Sequence, residues 1–390
     1  MVIRVQFHFV SVLLIHIFIG YVYSAGESNG KMIIPPPVKD LGKDYKLRIV
    51  YFVPSDKQIK RNYKEKTEVL MRVVADVYNR ELKANGFDTE GLDFEFDDKG
   101  SPLVHLVKGK RKSIFYRGDP LDLDHLLNSQ QQEIWEQTGF SRNRPTLVFS
   151  EAGPVAEARP MPQVYSGLAC VSASALSDEV TSLSIVEHIG RLCQSANFTK
   201  KQSQVSQTTN GVIIHEIGHI FGMLHDTSDS RNIMMRGYDN LGKMFNSKYA
   251  NQRPVRFSKA HARIASFSRF LSKSFDMSDD EPPNIKRFEI VSPVNEGDQT
   301  IKVSIEISDN SGLGSVVVMQ RGGGQIDALT GDFEPKKTEK INRRFELKSP
   351  KNFVKGQPVV LIMNCMDING NLAQSVLRTH VNPKKNQSVE

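Results

Sequence analysis

The chain has 390 residues, of which 39% are hydrophobic and 24% charged, so it is long enough for two or three domains with sizeable cores. This composition excludes collagen-like, coiled-coil and wholly disordered chains. The 51 basic and 44 acidic residues give a formal charge of +7, a mild excess that does not indicate a nucleic-acid partner. Three cysteines are too few for a scaffold built on disulfides.

Residues 1–24 have the layout of a cleaved secretory signal peptide. Arg4 precedes an apolar run, and small residues follow it before Ala25. The alternative is an uncleaved anchor, but His8 and His16 interrupt the run, which is poor for a span of ~20 apolar residues. No later stretch is long and apolar enough to cross a bilayer. We therefore predict a secreted, extracellular protein without stable membrane insertion.

Secretion permits disulfide formation and glycosylation. Cys170 and Cys193 are a candidate disulfide pair, with buried thiols as the alternative, whereas Cys365 lies far from both in the sequence. The sequons that begin at Asn197 and Asn386 are possible glycosylation sites.

The N-terminal two thirds of the chain show the pattern of a mixed α/β unit. Residues 25–45 are polar and rich in proline, which is typical of an extended lead-in. A strand, a long helix and then several strands indicate a twisted sheet covered by helices. The predicted strands are 46–53, 92–96, 103–107, 146–150 and 164–172, and the predicted helices are 60–85, 210–223 and 258–274, the last capped by Ser258.

A different pattern begins after residues 278–284, an acidic segment with two prolines that reads as a linker. Between Ile301 and Ile307, apolar and polar residues alternate strictly, and further short strands are separated by glycine and asparagine turns. This spacing predicts an all-β, immunoglobulin-like sandwich over 285–382, followed by a flexible tail at 383–390.

The residues with the strongest chemical signal lie at 215–226 and read HEIGHIFGMLHD. His215 and His219 are four residues apart, so on a helix both imidazoles lie on one face. Two such rings can reach one cation at the ~2.0–2.1 Å of a zinc–nitrogen bond. Glu216, beside the first histidine, can take a proton from an attacking water.

Gly222 supplies the next step, because a glycine can adopt positive φ and end the helix. The chain can then turn back and bring His225 to the same cation as a third ligand. Three histidines leave one coordination position open, which is the arrangement of a catalytic rather than a structural zinc ion. The alternative is a helix with unrelated histidines, which the fixed offsets of Gly222 and His225 disfavour.

The motif resembles that of the metzincin clan of zinc endopeptidases. Nine residues after the third histidine, Met234 is the first candidate for the methionine of the clan's Met-turn, and Met235 is the second. The run from Ile233 to Tyr238 is similar to a poorly characterised eukaryotic family of zinc metallopeptidases. The resemblance implies a metzincin-like α+β domain over 46–277, with a single catalytic zinc ion in a cleft.

Metzincins hold a peptide substrate against an edge strand of the sheet. The strand predicted at 164–172 is the candidate for this role, with an interior strand as the alternative. Tyr238 lies four residues after Met234. It is a candidate to stabilise the oxyanion that forms from the reacting carbonyl, with a packing or surface role as the alternative.

Two weaker motifs have ordinary explanations beside functional ones. The basic cluster at 108–112 can bind a polyanion or be a processing site, but it also fits a solvated hairpin tip. Residues 367–371 offer oxygen ligands of the kind that calcium uses, yet Asn369 and Gly370 are typical of a hairpin turn.

Together these features predict a secreted zinc-dependent endopeptidase that acts on proteins or peptides, with Glu216 as general base. The rival is a catalytically silent extracellular protein that keeps the metzincin fold as a scaffold and binds a partner through its β-sandwich. Because Glu216 and all three histidines are intact, the sequence favours the enzyme.

Overall fold

The computed structural model describes residues 30–119, 123–140, 142–162, 165–176, 200–225, 229–272, 275–321, 331–333, 340–349 and 351–384. The predicted signal peptide, Cys193 and the sequons at Asn197 and Asn386 lie outside these ranges. Within them, no helix combines the length and the apolar character that a bilayer span requires.

A five-stranded sheet in the order β2-β1-β3-β5-β4 organises the N-terminal part. Its first four members in that order are parallel, and the last is an antiparallel edge strand. Every residue of β1 is buried, as expected for a parallel strand covered on both faces. The strands are β1 (Arg48–Val53), β2 (Val104–Lys108), β3 (Thr146–Ser150), β4 (Ala156–Met161) and β5 (Ser166–Ser172).

Helices cover both faces of this sheet. On one face α1 and α4 pack together, with Val74 and Ile217 in the same core as Tyr51 of β1. On the other face, Leu127 of α3 packs on Phe52. The helices are α1 (Tyr63–Ala84), α2 (Ser113–Arg117), α3 (Leu123–Thr138), α4 (Lys200–Ile220) and α5 (Lys259–Phe267).

Several expectations for this unit need correction. Helix α3 and strand β4 were not predicted, because glutamines interrupt the apolar pattern of the helix and the strand is only partly buried. The predicted strand at 92–96 is reduced to isolated bridges at Phe94 and Phe96. The predicted helix at 258–274 ends at Phe267, although Ser258 does cap it by accepting a hydrogen bond from the backbone nitrogen of His261 at 3.0 Å.

The prediction of an edge strand at 164–172 is wrong. Strand β5 lies there, but it pairs with β3 on one side and β4 on the other, so the interior alternative holds. Among the strands that the structure describes, the two edges of this sheet are β2 and β4. The prediction failed because the partly buried strand β4, which covers that side of β5, was not recognised in the sequence.

The described residues of the C-terminal part form seven strands in two antiparallel sheets, one ordered β10-β7-β6 and the other β12-β11-β8-β9. The alternating residues Ile301 to Ile307 point into a core that they share with Val316 and Met363 of the other sheet. The strands are β6 (Asn284–Ile290), β7 (Thr300–Ser308), β8 (Leu313–Arg321), β9 (Gly331–Phe333), β10 (Lys340–Lys348), β11 (Pro358–Asp367) and β12 (Leu372–His380).

The segment 278–284, predicted as a linker, is anchored rather than free. Asp279 is buried, and its carboxylate accepts hydrogen bonds from the Ser311 hydroxyl at 2.6 Å and the Asn369 amide at 2.8 Å. The Arg269 guanidinium is 2% exposed and donates to the carbonyl oxygens of Asn369 and Asp279. We call Arg269, Asp279, Asp367, Asn369 and Asn371 the junction cluster.

The junction cluster includes the turn between β11 and β12. These strands are antiparallel neighbours, and Gly370 has φ +84°, so the hairpin interpretation of 367–371 is confirmed. Asp367 accepts hydrogen bonds from the backbone nitrogens of Asn369 and Asn371 at 2.9 and 2.7 Å, which holds the turn in shape.

Candidate metal centre

Helix α4 carries the first two histidines on a buried segment. Ile213, Ile214 and Ile217 are completely buried against the sheet and α1, which fixes the rotation of the helix. His215 is 7% exposed and His219 is partly buried one turn later. The predicted placement of both rings on one face follows from this spacing.

The helix ends at Gly222 in a Schellman motif. The glycine has φ +86°, its backbone nitrogen donates to the His219 carbonyl at 3.1 Å, and the nitrogen of Met223 donates to the Gly218 carbonyl at 3.0 Å. This is the backbone reversal that the sequence predicted. It directs the chain back so that His225 lies beside the rings of the helix.

The three imidazoles meet at their Nε2 atoms. The Nε2–Nε2 distances are 3.2 Å between His215 and His219, 3.1 Å between His219 and His225, and 3.0 Å between His225 and His215. A tetrahedral zinc ion with bonds of ~2.0–2.1 Å separates its nitrogen ligands by about 3.3 Å. The observed distances of 3.0–3.2 Å are close to this value, so the three Nε2 atoms could hold one metal ion.

Hydrogen bonds at Nδ1 of two rings hold those rings with their Nε2 atoms available to a cation. Nδ1 of His215 donates to the Ile233 carbonyl at 2.9 Å, and Nδ1 of His219 donates to the Met223 carbonyl at 2.9 Å. Burial lowers the pKa of His215 well below its usual value, so that ring is neutral. A neutral ring with its proton on Nδ1 has a lone pair on Nε2, so Nε2 of His215 can bind a cation.

The third ligand is held by a residue that the sequence did not reveal. His261 of α5 is completely buried, and its Nε2 donates to the Leu224 carbonyl at 2.6 Å, one residue before His225. A histidine on an otherwise ordinary helix gave no signal for this role, because its partner is a backbone atom 37 residues away.

Glu216 lies beside the triangle. Its side chain is almost completely buried, and Oε1 is 4.0 Å from Nε2 of His215. Burial raises the pKa of Glu216 to about 8, and the nearby Glu157 carboxylate adds to the effect. A carboxyl group with this environment exchanges protons more readily near neutral pH than an exposed one does.

The predicted Met-turn methionine, Met234, is completely buried, and its sulfur would lie only 2.6 Å from a Cβ atom added to Gly218 on the histidine helix. The Asn232 side chain accepts from the backbone nitrogen of Met234 at 3.0 Å and so shapes the turn. Ile233 between them supplies the carbonyl that orients His215. The turn is therefore part of the support of a ligand.

The remaining candidate residues have other surroundings. Tyr238 stands with its ring centre 5.3 Å from that of His215, at an interplanar angle of 78°. Cys170 on β5 is a buried free thiol in the structure, as in the alternative to a disulfide with Cys193, and burial raises its pKa to about 12. The disulfide to Cys193 stays a prediction, since that residue lies outside the described ranges.

Comparisons with known proteins agree with this geometry. Residues 181–307 match a family model described as "Putative peptidase family". The fold is similar to crystal structures of OgpA from Akkermansia muciniphila, with TM-scores of 0.54 for the wild type and 0.53 for a catalytically inactive form in complex with an O-glycopeptide substrate, glycodrosocin. Each match has 15% identity and covers 92% of this chain and 98% of OgpA.

Comparison with curated protein sequences finds no match. The family model and the OgpA fold are complementary, because the family model spans the histidine helix and its surroundings while the OgpA fold spans nearly the whole chain. The family match and the cluster of three histidines together indicate a metallopeptidase, in a mixed α/β fold similar to that of OgpA.

Proposed function

We propose that the protein is a secreted zinc-dependent endopeptidase of the metzincin type. The observation that carries this proposal is the triangle of Nε2 atoms, 3.0–3.2 Å apart, with the carboxylate of Glu216 beside it. Three nitrogen ligands without a cysteine suit a catalytic zinc ion, which keeps a position open.

His215, His219 and His225 would hold the ion through Nε2, and the carbonyl partners of the first two rings keep those nitrogens unprotonated. When bound, zinc polarises a scissile carbonyl and lowers the pKa of water toward ~7. Beside a bound zinc ion Glu216 would be ionised despite its burial, because a nearby positive charge favours the carboxylate. It would then accept the proton of the attacking water and deliver it to the leaving amine. Its burial removes competing water and keeps the carboxylate close to the reacting atoms.

The substrate lies, in this proposal, as an extended peptide along β4. This strand is one of the two edges of the described five-stranded sheet, and an edge strand can pair with an added strand. Glu157 on β4 is near enough to Glu216 to influence its pKa, which relates this edge to the candidate general base. The two C-terminal sheets form, in the same proposal, an immunoglobulin-like sandwich.

The decisive experiment compares the parent protein with Glu216→Gln. The amide keeps the shape of the side chain but cannot accept a proton, so cleavage of a peptide library should fall by at least about a hundredfold. Metal analysis by mass spectrometry should find about one zinc ion per chain in both proteins, because this residue is not a ligand.

The library contains each peptide with and without an O-glycan, since OgpA was crystallised with an O-glycopeptide substrate. Zinc binding by both proteins with no cleavage by either would contradict the enzyme and favour the interaction protein. Absence of bound metal from the purified parent after zinc loading would contradict the metal site itself.

A further inference from the structure

The loop that carries the third histidine is held through three consecutive carbonyl oxygens. The Gly222 carbonyl accepts from Nδ2 of Asn364 at 2.8 Å, the Met223 carbonyl from His219 at 2.9 Å, and the Leu224 carbonyl from His261 at 2.6 Å. Each donor is a side chain, and each comes from a different element. One of them, Asn364, lies on β11 in the C-terminal sheets.

The Asn364 amide is fixed on both sides. It is 1% exposed, and its Oδ1 accepts a hydrogen bond from Nε2 of Gln374 at 2.9 Å. Because Gln374 donates to the oxygen, the amide nitrogen is the atom that faces Gly222. The bond to the Gly222 carbonyl is therefore a built contact between the C-terminal sheets and the end of the histidine helix.

Apolar contacts join the same two regions. Leu224 belongs to a small buried cluster with Val317 and Met319 of β8. Leu372 of β12 lies so near Gly222 that a Cβ on the glycine would be 3.3 Å from its Cδ1. The loop is thus packed against the C-terminal sheets as well as hydrogen-bonded to them.

We propose that Asn364 is a positioning residue for the metal centre, so that the C-terminal sheets complete the site rather than form an independent module. This inference rests on the proposed function. Residues 222–225 have no regular secondary structure after the helix ends, so the position of His225 depends on what binds their carbonyls. Partners that orient a ligand in this way typically change metal affinity by 10–100-fold when they are removed.

The test replaces Asn364 with leucine, which has a similar volume but cannot donate. Two readouts are used: the affinity for Zn²⁺ in competition with a chelator, and the visible absorption of the Co²⁺-substituted protein. Asn364→Leu should bind Zn²⁺ at least about tenfold more weakly, and its Co²⁺ bands should shift because the third nitrogen moves.

Met363→Val is the matched control. Met363 is the neighbouring residue on β11, equally buried, but it points into the core between the two C-terminal sheets and away from Gly222. This control should lower the temperature of thermal unfolding and leave both metal readouts unchanged. Equal loss of affinity in the control would overturn the inference, since the effect would then be general destabilisation.

Gln374→Ala provides a second variant in case Asn364→Leu does not fold, because Gln374 is exposed and its replacement spares the core. It should weaken zinc binding about two- to fivefold by releasing the Asn364 amide. Wild-type affinity and spectra in both variants, or in Gln374→Ala alone when the other does not fold, would overturn the positioning role and leave the proposed function standing. A parent protein that binds no metal would overturn both.

Discussion

Two polar clusters lie at comparable depth in this molecule, and they are built on opposite principles. In the junction cluster, the donors of Arg269 meet carbonyl and hydroxyl oxygens, and the acceptors of Asp279 meet amides and a hydroxyl. Among the histidines, nitrogen faces nitrogen: the Nε2 atoms of His215, His219 and His225 lie 3.0–3.2 Å apart. The first cluster pairs donors with acceptors, and the second gathers three nitrogen atoms that could hold one metal ion.

This difference distinguishes polar groups that stabilise the fold from polar groups that can bind a ligand. Buried polar groups normally pair a donor with an acceptor, whereas three ring nitrogens gathered at one point are the arrangement of a metal-binding site. Burial alone does not distinguish the clusters, since Arg269 is 2% exposed and His215 is 7% exposed. The clusters are distinguished by whether the atoms that face each other are a donor and an acceptor or are all ring nitrogens.

The largest expected effect comes from removing a ligand. His215→Ala leaves two nitrogens, so zinc content should fall from about one ion per chain to near zero, and peptide cleavage by at least about a thousandfold, because metal catalysis supplies several kcal/mol. Metal analysis and a peptide assay measure both. A variant that keeps stoichiometric zinc would show that the triangle is not the metal site.

Arg269→Met should act on stability and not on the metal. The substitution leaves the buried carbonyls of Asn369 and Asp279 without their donor, so the free energy of unfolding should fall by about 3 kcal/mol. Urea unfolding of the metal-free protein measures it. Zinc affinity of the folded variant should equal that of the parent, and a large loss of affinity would mean that the two clusters are not separate.

A pair of glycines isolates the role of the helix end. Gly222 and Gly86 both have φ +86° and both end a helix in a Schellman motif, but a Cβ on Gly86 would meet nothing within 4 Å. Replacement of either by alanine should cost about 1–2 kcal/mol of stability because of the left-handed backbone. Only Gly222→Ala should also weaken zinc binding, measured by chelator competition, since only Gly222 precedes a ligand.

If Gly86→Ala weakened metal binding equally, the helix end at Gly222 would have no special relation to the site. Gly86 is a suitable control because it follows the end of α1 at a surface turn, where an added Cβ atom would displace no neighbouring side chain.

The smallest expected effect is on the pH dependence of stability, and it concerns Glu95, whose carboxylate is hydrogen-bonded to Arg48 and His105. Burial alone would raise the pKa of this carboxyl, but hydrogen bonds from His105 and Arg48 outweigh it and lower the pKa to about 2. A carboxyl whose pKa is lower in the folded state stabilises the protein above its ordinary value near 4.5, and this stabilisation is lost as pH falls toward 2. Unfolding free energy should therefore drop over that window.

The contribution of Glu95 should be on the order of 1 kcal/mol, less than the full pKa shift implies, because solvent partly screens the cluster. Urea titrations at pH 5 and pH 3 of the parent and Glu95→Gln measure it. The variant should lose less stability between the two pH values than the parent, and identical losses would contradict the assigned pKa.

Local patterns predicted the elements whose signals are contained in a few neighbouring residues. The spacing of His215 and His219 on a helix, the backbone reversal at Gly222 and the alternation from Ile301 to Ile307 all depend on the periodicity or flexibility of the chain itself. Helix α3 and strand β4 escaped because their apolar faces are weak, and they are stabilised by the sheet on which they pack.

By itself, then, the sequence determined that three imidazoles and a carboxylate can be brought to one place, since an α-helix and a glycine suffice for that. Only the tertiary structure decided which strands form the edges of the described sheet, that Asp279 anchors the supposed linker, and that His261 and Asn364 bind the backbone around the third ligand. The reason is range: a hydrogen bond between a side chain and a carbonyl 142 residues away leaves no periodic trace in either segment.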